Sequence, residues 1–364
     1  MQNALFLLST PPPVHGASMM GQYIKESQLI NDSYTITYIN LNTSTTVDEI
    51  GKNGLQKIGK VLALFARVLK VLVKTRPQFT YMTPSASGLG FYKDWPLAMI
   101  CKLFSGKFIA HYHNKGVSAY QDRMFDNWLY RLFFKRTKVI LLAKELYSDI
   151  SKYVKEEDVY YCPNGIPSPS LDPSIKIHQE PAQVLFLSNL LEEKGVYDLL
   201  EAIKILKDKN LFFTCCIVGG EGDITDEALS RKISDLGISE FVQYLGKKYG
   251  EEKLRIIQSS DIFVFPTYYQ KECLPLVILE AMSFGLPIIT TAEGGIPSLI
   301  ENERNGLLVE AKNPKKLSFA IQKLLNNQEM RSLLGKSAKT DFTAKFTLAK
   351  FEGEFLKVMK SITS

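Results

Sequence analysis

Short β-type runs alternate with helical patterns along the whole chain, and this alternation constrains the fold most. Nearly continuous apolar strands in a strand–helix–strand order are typical of parallel sheets that helices cover on both faces. In the first half, strands are predicted near 3–9, 34–40, 79–83, 107–113, 138–143 and 158–162. Helices are predicted between them near 18–30, 51–75, 94–104, 122–136 and 144–154.

The second half repeats this pattern after a stretch, 162–181, that contains five prolines. Its predicted strands lie near 183–188, 213–219, 241–246, 261–266, 286–290 and 306–309. Its predicted helices lie near 194–208, 225–236, 249–258, 276–284, 296–302 and 313–325. The sequence therefore predicts an α/β protein of two doubly wound, Rossmann-like domains. We expect domains at 1–165 and 183–345, a linker at 166–182, and a final helix at 346–364 that packs back on the first domain.

Composition and cysteine usage narrow the class of protein. A chain of 364 residues fits about two domains, and 45% hydrophobic with 23% charged residues excludes disordered, collagenous and disulfide-scaffold proteins. No apolar run reaches the length of about 18 residues that a membrane span needs. The N-terminus has no secretory signal pattern, and the five cysteines form no CxxC pair. We therefore expect a cytoplasmic location without a zinc site.

Positive charge is concentrated in the first half. Residues 1–170 hold 20 Lys and Arg against 12 Asp and Glu, or +8, whereas 171–364 hold 24 against 26, or −2. This excess is too diffuse to indicate nucleic-acid binding. The stretch 53–76 has an apolar stripe at 55, 58, 62, 65, 69 and 72 beside Lys57, Lys60, Arg67 and Lys74, and 128–138 is similar. Such helices can lie on an anionic membrane; the alternative is a helix packed on the sheet with a solvated basic face.

The most informative segment is 261–289, where a strand, a polar loop and a helix starting near Pro275 follow one another. Glu272 precedes the helix and Glu280 lies inside it, eight residues later. That spacing is about 12 Å along a helix axis, so the two carboxylates could contact separate parts of one long ligand. Alternatively, Glu272 caps the helix and Glu280 lies on the surface. A helix start suits a phosphate. The predicted substrate contacts there are Cys273, Leu274, Leu276 and Val277.

A lysine and an asparagine stand in the loop of the segment 184–202. Lys194, between Glu193 and Gly195, can reach phosphate oxygens as a point charge; the alternative is a solvated surface lysine. Five residues earlier, Asn189 can donate a hydrogen bond but carries no charge.

Glycines and histidines mark further strand ends. Gly16 follows the first strand and precedes a helix, Gly219 ends the strand at 213–219, and Gly294 with Gly295 precedes a short helix. Each is a candidate substrate contact or only a turn residue. His111 and His113 share one side of a strand end, so they could bind metal, pack or cap, or bind a ligand.

These segments resemble the retaining glycosyltransferases of family 4, which have the GT-B fold. The family's mark is two glutamates with seven residues between them, followed by Ala-Met and Gly-x-Pro; here these are Glu272, Glu280, Ala281-Met282 and Gly285-Leu286-Pro287. Glu193-Lys194-Gly195 matches a second family element, and Asn189 stands where the family usually has arginine. The resemblance covers most of the chain and is strongest across 184–310.

The resemblance implies roles for individual residues. Glu272 would contact the hydroxyls of the donor sugar under the anomeric carbon, Glu280 the ribose, and Lys194 the diphosphate. His113, immediately before a loop, would bind the sugar near its 6-position. Gly16 would match the N-terminal glycine loop, Gly219 would lie near the base, and Gly294 and Gly295 near the sugar or diphosphate.

The resemblance also implies an activity: transfer of a sugar from a nucleoside diphosphate to a glycan or lipid-linked acceptor, with retention of configuration. The donor and acceptor would meet in a cleft between the domains, and the leaving diphosphate would take the acceptor proton. No metal or cofactor beyond the donor is expected, and a location at the cytoplasmic face of a membrane fits the basic helices. Two alternatives stay open: an epimerase or phosphorylase of the same fold, and a non-catalytic nucleotide-sugar binder, which only Asn189 favours.

Overall fold

A computed structural model describes residues 1–42, 55–171 and 181–364, without the side chains of 55–58. The predicted start of a helix at 51–54 and the linker residues 172–180 lie outside the described residues. The chain forms two compact units: an N-terminal unit, residues 1–165 and 348–364, and a C-terminal unit, residues 166–347.

A parallel sheet forms the centre of the N-terminal unit. Its described strands, in the spatial order β2-β1-β3-β4-β5-β6, are β1 Gln2–Leu8, β2 Tyr34–Asn40, β3 Phe79–Met82, β4 Lys107–His111, β5 Thr137–Leu141 and β6 Val159–Tyr161. The helices between them are α1 Gly16–Glu26, α2 Gln28–Asn31, α3 Leu55–Thr75, α4 Gly88–Phe104 and α5 Met124–Phe134. The strand order moves outward in both directions from β1 and β3, so the sheet is doubly wound as predicted.

The C-terminal unit repeats this architecture. Its described strands, in the order β12-β11-β10-β7-β8-β9, are β7 Gln183–Leu187, β8 Thr214–Val218, β9 Val242–Tyr244, β10 Ile262–Phe265, β11 Ile288–Thr290 and β12 Leu307–Leu308. The helices are α6 Val196–Asp208, α7 Asp226–Asp235, α8 Gly250–Ser259, α9 Leu276–Phe284, α10 Pro314–Leu325 and α11 Gln328–Asp341. Strand β10 is apolar and buried throughout, and so is β7 after its first residue, as expected of strands between helix layers.

A last helix, α12 (Leu348–Thr363), belongs to the N-terminal unit. Its Phe355 packs edge-on against Tyr81 of β3, with ring centroids 5.3 Å apart. Lys107 at the start of β4 donates hydrogen bonds to the carbonyl oxygens of Ile362 and Ser364, at 2.9 and 2.7 Å. These bonds satisfy carbonyl groups that the end of a helix leaves without intrahelical donors.

Several predicted helices differ from the structure. A 3₁₀ helix, Lys144–Asp149, replaces the start of the predicted helix 144–154, and another, Ile296–Ser298, replaces 296–302. No helix was predicted for α11, whose sequence contains Gly335. Glycine costs about 1 kcal/mol in a helix interior, yet a Cβ at Gly335 would lie 2.0 Å from the carbonyl oxygen of Gly285. Close packing of α11 on the end of α9 therefore outweighs the low helix propensity.

The outward face of α3 differs from the predicted apolar stripe. Leu62 and Leu69, two members of that stripe, are exposed, whereas the buried face carries Leu64, Val68 and Leu72. Apolar residues therefore occur on both sides of this helix, and the side that contains Leu64 is the buried one. Among the described residues, no helix is long and apolar enough to cross a membrane.

Candidate functional site

The predicted ligand-binding loops of the C-terminal unit follow strands β7, β8, β10 and β11. These strands are parallel and adjacent, so their carboxyl ends lie along one edge of the sheet, where open α/β sheets bind ligands. The predicted residues in these loops or at the following helix are Asn189, Lys194, Gly219, Glu272, Cys273, Leu274, Leu276, Val277, Glu280, Gly294 and Gly295.

Lys194 and Glu272, from the loops after β7 and β10, form an ion pair. The lysine Nζ lies 2.5 Å from Oε2 of the glutamate, and the two side chains are only 13% and 9% exposed. The same Nζ lies 4.3 Å from the centroid of the Tyr269 ring, a distance at which a cation is attracted by the ring face. The loops therefore hold a cation and a carboxylate together at the strand ends, in a place with little solvent.

A left-handed glycine brings these two loops into contact. Gly195 has φ +82°, and a Cβ there would lie 2.3 Å from the carbonyl oxygen of Pro266, which directly follows β10. The amide of Tyr268 donates to the carbonyl oxygen of Glu193 at 2.7 Å. Any side chain at position 195 would separate the loops, so glycine is needed for the ion pair to form.

The loop after β11 supports the backbone next to Glu272. Gly294 has φ +58°, and a Cβ there would lie 2.2 Å from the carbonyl oxygen of Glu272. The amide of Gly295 donates to the carbonyl oxygen of Cys273 at 2.7 Å. Both glycines therefore hold the turn that positions the glutamate, which is a structural role; their predicted substrate contact stays a prediction.

The loop after β8 also lies in close contact with the loop after β7. A Cβ at Gly219 would lie 1.7 Å from the carbonyl oxygen of Ser188, and the amide of Leu190 donates to the carbonyl oxygen of Gly220 at 2.7 Å. Asn189, between these two contacts, is exposed. The side chain at position 189 thus projects from a backbone that is fixed on both sides.

The start of α9 lies directly after this turn. Pro275 is the N-cap residue and Leu276 and Val277 form the first turn, whose N–H groups have no acceptors within an α-helix. Glu280, one turn further, forms an ion pair of 2.6 Å with Lys253 of α8. Its second carboxylate oxygen, Oε2, is buried and has no hydrogen-bond partner among the described residues.

Two histidines of the N-terminal unit, the buried His111 and the half-buried His113, form a neutral cluster at the end of β4. The ring centroids of His111 and His113 are 4.3 Å apart, which agrees with the prediction that both face one side. Tyr81 Oη lies 2.8 Å from Nδ1 of His111. Burial holds the pKa of His111 well below its usual value. Burial also lowers the pKa of His113 to about 4, with His15 acting in the same direction and Asn164 in the opposite one.

Gly16 opens helix α1. The preceding residue, His15, was not among the predicted functional residues, but it caps the helix: Nδ1 accepts a hydrogen bond from the amide of Ser18 at 3.2 Å. The Ser18 hydroxyl accepts in turn from the amide of His15 at 2.9 Å. The usual capping-box signature is Ser or Thr followed three residues later by Glu or Gln, so no such signal marks His15 in the sequence.

The structure thus brings Lys194 and Glu272 into contact, whereas His113 and Gly16 belong to the other unit. Sequence analysis missed Tyr269 and Lys253. Tyr269 could have been found from its place in the loop before Glu272, but Lys253 lies on a polar helix and has no local signal. In the described part of the chain, no group of three or more His, Cys, Asp or Glu side chains could hold a metal ion.

Comparison with known proteins identifies the part of the chain that carries this site. Residues 168–341 match the family model described as glycosyl transferases group 1. This segment is a glycosyl transferases group 1 domain. It contains the Lys194–Glu272 and Lys253–Glu280 ion pairs together with all four strand-end loops described above.

Curated relatives of the group 1 domain include bacterial glycosyltransferases. The chain is 27% identical over 231 residues to the amylovoran biosynthesis glycosyltransferase AmsK of Erwinia amylovora, covering 61% of this chain and 56% of the relative. It is 30% identical over 246 residues to the N,N'-diacetylbacillosaminyl-diphospho-undecaprenol alpha-1,3-N-acetylgalactosaminyltransferase of Campylobacter jejuni, covering 63% and 62%. The chain therefore spans less than two thirds of the length of either relative.

A solved structure shows the fold beyond the group 1 domain. The chain aligns with the Anabaena protein Alr3699/HepE in complex with UDP at a TM-score of 0.74 and 16% identity, covering 99% of this chain and 100% of that one. At this level of identity the likeness shows the fold alone, and the predicted GT-B fold is confirmed.

Proposed function

We propose that this protein transfers a sugar from a nucleoside-diphosphate donor to a glycan or lipid-linked acceptor and retains the anomeric configuration. The observation that carries the proposal is the Lys194–Glu272 ion pair of 2.5 Å at the carboxyl ends of parallel strands. A site that binds a diphosphate sugar needs a cation for the phosphates and an acceptor for the sugar hydroxyls, and this pair supplies both within one small volume.

The ion pair has a consequence for donor binding. A buried cation and carboxylate stabilise each other, and removing one partner leaves the other charge uncompensated. When a diphosphate reaches Lys194, its oxygens replace the carboxylate as partners of Nζ. Glu272 is then released to accept hydrogen bonds from the sugar, which compensates its charge. In this proposal the donor exchanges partners with the pair, so neither charge is left unpaired at any stage.

The proposed chemistry follows from these positions. The bond between the anomeric carbon and the diphosphate oxygen breaks while the acceptor oxygen bonds to the same face of that carbon. The acceptor proton passes to the leaving diphosphate, whose charge Lys194 and the N–H groups at the start of α9 neutralise. Glu272 orients the sugar and Glu280 accepts from the ribose; the role of His113 near the sugar stays a prediction.

Relatives of this chain support the proposed classes of donor and acceptor. The Anabaena protein of the same fold was solved with UDP, and the name of the Campylobacter relative includes a saccharide linked to diphospho-undecaprenol. We extend both chemical classes to this chain. A donor is first identified from the melting temperature in a panel of UDP-, GDP- and ADP-sugars, since a ligand of the folded state raises it.

Transfer itself is then measured with the donor that shifts the melting temperature most. Products formed with saccharide and lipid-linked acceptors are analysed by mass spectrometry, and their anomeric configuration by NMR. We expect an acceptor-dependent product with the configuration of the donor. Donor conversion without any acceptor would favour an epimerase, and phosphate-dependent turnover would favour a phosphorylase; either result overturns the proposal.

We also propose that α3, α4 and α5 contact an anionic membrane at its cytoplasmic face. These helices pack side by side. Of their side chains from residue 59 onward, ten large apolar ones are exposed: Leu62, Leu69, Val73, Leu89, Tyr92, Leu103, Phe104, Met124, Phe125 and Trp128. On α4 and α5, the rings of Tyr92, Phe125 and Trp128 form a row with centroids 6.2 and 6.3 Å apart. Exposed apolar surface of this extent usually marks an interaction site.

Charge favours an anionic lipid surface as the partner of this face. The acidic residues of the three helices, Asp94 and Asp126, are both buried. Among the side chains that the structure describes, the exposed basic residues are Lys60, Arg67, Lys70, Lys74 and Arg131. The outward face is therefore apolar and positive, which fits the headgroup region of an anionic bilayer. The five cysteines, all in the described part of the chain, form no disulfide, which supports a reducing compartment.

Vesicle sedimentation tests the membrane proposal. Wild-type protein should bind vesicles containing phosphatidylglycerol and leave neutral phosphatidylcholine vesicles unbound. Replacing Arg67 and Lys70 by serine should weaken binding about fivefold per charge removed, and Phe125→Ser with Trp128→Ser should weaken it further. Phe212→Ser, at an exposed aromatic of the C-terminal unit, is the matched control. Equal binding of wild type and the Arg67/Lys70 variant would contradict the proposal.

A further inference from the structure

The Lys253–Glu280 ion pair differs from the other ion pairs of α8. Arg255 pairs with Glu251 on the same helix, and those side chains are 69% and 60% exposed. Lys253 instead reaches from α8 to Glu280 on α9, and the two side chains are 24% and 16% exposed. Exposed pairs between neighbouring turns contribute little, whereas a pair between two helices with little solvent fixes the orientation of both side chains.

Only one of the two carboxylate oxygens of Glu280 has a hydrogen-bond partner among the described residues. Oε1 accepts from Lys253 Nζ at 2.6 Å, while Oε2 is buried and has no hydrogen-bond partner among the described residues. A carboxylate can accept about four hydrogen bonds, and a buried oxygen without a partner is costly. The bond to Lys253 therefore holds Oε2 in one direction, ready to accept from hydroxyl groups of a ligand.

We infer that Lys253 is a positioning residue that orients Glu280 for the 2′-hydroxyl of a ribonucleotide. This inference rests on the proposed function, in which Glu280 contacts the donor ribose. Lys253 acts through the carboxylate: it occupies Oε1 and prevents the side chain from rotating, which leaves Oε2 for the ribose. Lys253 thus determines how strongly the site distinguishes ribonucleoside from 2′-deoxyribonucleoside diphosphates.

Isothermal titration with full-length protein tests the inference. The probes are UDP, GDP and ADP, and then the 2′-deoxy form of the one that binds best. For wild type we expect the ribonucleotide to bind roughly tenfold or more tightly than its deoxy form, since a hydrogen bond to a charged group is lost. Lys253→Met should weaken binding of the ribonucleotide by about the same factor and leave binding of the deoxy form nearly unchanged. The ratio of the two affinities then falls towards one.

Three further variants separate positioning from other effects. Arg255→Met removes a cation from the same helix and should keep the wild-type ratio. Lys253→Arg should retain most of the wild-type preference for the ribonucleotide. In a Glu280→Gln background, Lys253→Met should have no further effect on affinity, because the lysine acts only through the carboxylate. This double variant also leaves no buried unpaired charge, and its melting temperature reports whether the fold is intact.

Two results would overturn the inference. If Lys253→Met weakens the binding of both nucleotides by the same factor, the lysine contacts the base or phosphates directly. If it changes neither affinity, the ion pair has no role in ribose recognition. Failure of the proposed function gives a different result: wild-type protein would then bind none of the three nucleoside diphosphates, and the inference would fall with it.

Discussion

The candidate ligand-binding side chains of the two units differ in how their polar groups are compensated. In the C-terminal unit, carboxylates are paired with lysines, as in Lys194–Glu272 at 2.5 Å and Lys253–Glu280 at 2.6 Å. In the N-terminal unit, burial lowers the pKa of His111 and of His113, so both rings are neutral. Charged side chains suit a ligand that carries charge, such as a diphosphate, whereas neutral imidazoles suit uncharged hydroxyl groups.

This comparison predicts the largest effects for the ion pair that would meet the diphosphate. In the proposed mechanism, Lys194→Met removes the charge that neutralises the leaving group, and Glu272→Gln removes the charge that orients the sugar. Each should lower the rate of sugar transfer roughly 100-fold or more, as the loss of a group that stabilises transition-state charge does in other enzymes. The measurement is the initial rate with saturating donor and acceptor.

A control in the same unit makes that result specific. Lys323 pairs with Glu303, and both side chains are about half exposed, so Lys323→Met should keep the wild-type rate. Each single variant of the buried pair leaves an uncompensated charge, so the double variant Lys194→Met/Glu272→Gln provides an inactive protein without that instability. Wild-type transfer rates in either single variant would remove the basis for a charged donor site.

A smaller effect is expected from the neutral histidines, as a dependence of stability on pH. His113 has a folded pKa of about 4 and an unfolded pKa of about 6.5, so the unfolded state binds more protons between these values. The contribution of neutral His113 to the free energy of unfolding should therefore be complete above about pH 6.5 and decrease as the pH falls towards 4. For His113 alone the loss at pH 5.5 is about 1 kcal/mol.

Tryptophan fluorescence isolates this effect, since both tryptophans, Trp95 and Trp128, lie in the N-terminal unit. Urea unfolding followed by fluorescence at pH 7.5 and 5.5 compares wild type with His113→Gln. The variant should lose less stability between the two pH values than wild type does. Identical losses in both proteins would mean that His113 is protonated in the folded unit, and the contrast between the units would disappear.

The smallest predicted effect concerns Asn189, the uncharged position in the proposed diphosphate site. Asn189 is exposed on a backbone that is fixed on both sides, so a longer side chain fits there without disturbing the fold. Asn189→Arg adds a second cation to the proposed donor site and should tighten nucleoside-diphosphate binding about threefold to tenfold at low salt. High salt should reduce the gain; no gain at any salt concentration would place position 189 away from the phosphates.

Sequence patterns predicted the parallel sheets well because an apolar strand is a local signal. They also predicted that Lys194 and Glu272 belong to one site, since both follow strands of one sheet. The contact between them was not predictable: it depends on Gly195 allowing two loops to approach, which is a tertiary event. Lys253 was missed for the same reason, because a lysine on a polar helix gives no sign of the helix that it faces.

The exposed apolar residues of α3 were not predictable from the sequence either. A helix with apolar residues on both sides does not reveal from its sequence which side faces the sheet, and only packing decides that Leu64 is buried and Leu62 exposed. Helix α11 was missed because Gly335 argues locally against a helix, although its close approach to Gly285 requires glycine.

The central claim is that the Lys194–Glu272 pair forms the diphosphate site, and calorimetric titration tests it most directly. Wild-type protein and the Lys194→Met/Glu272→Gln variant are titrated with UDP, GDP and ADP, and with the corresponding nucleosides. The account predicts that one diphosphate binds wild type at least about tenfold more tightly than the variant, while its nucleoside binds both proteins alike. Equal affinity of wild type and variant for that diphosphate would contradict the account.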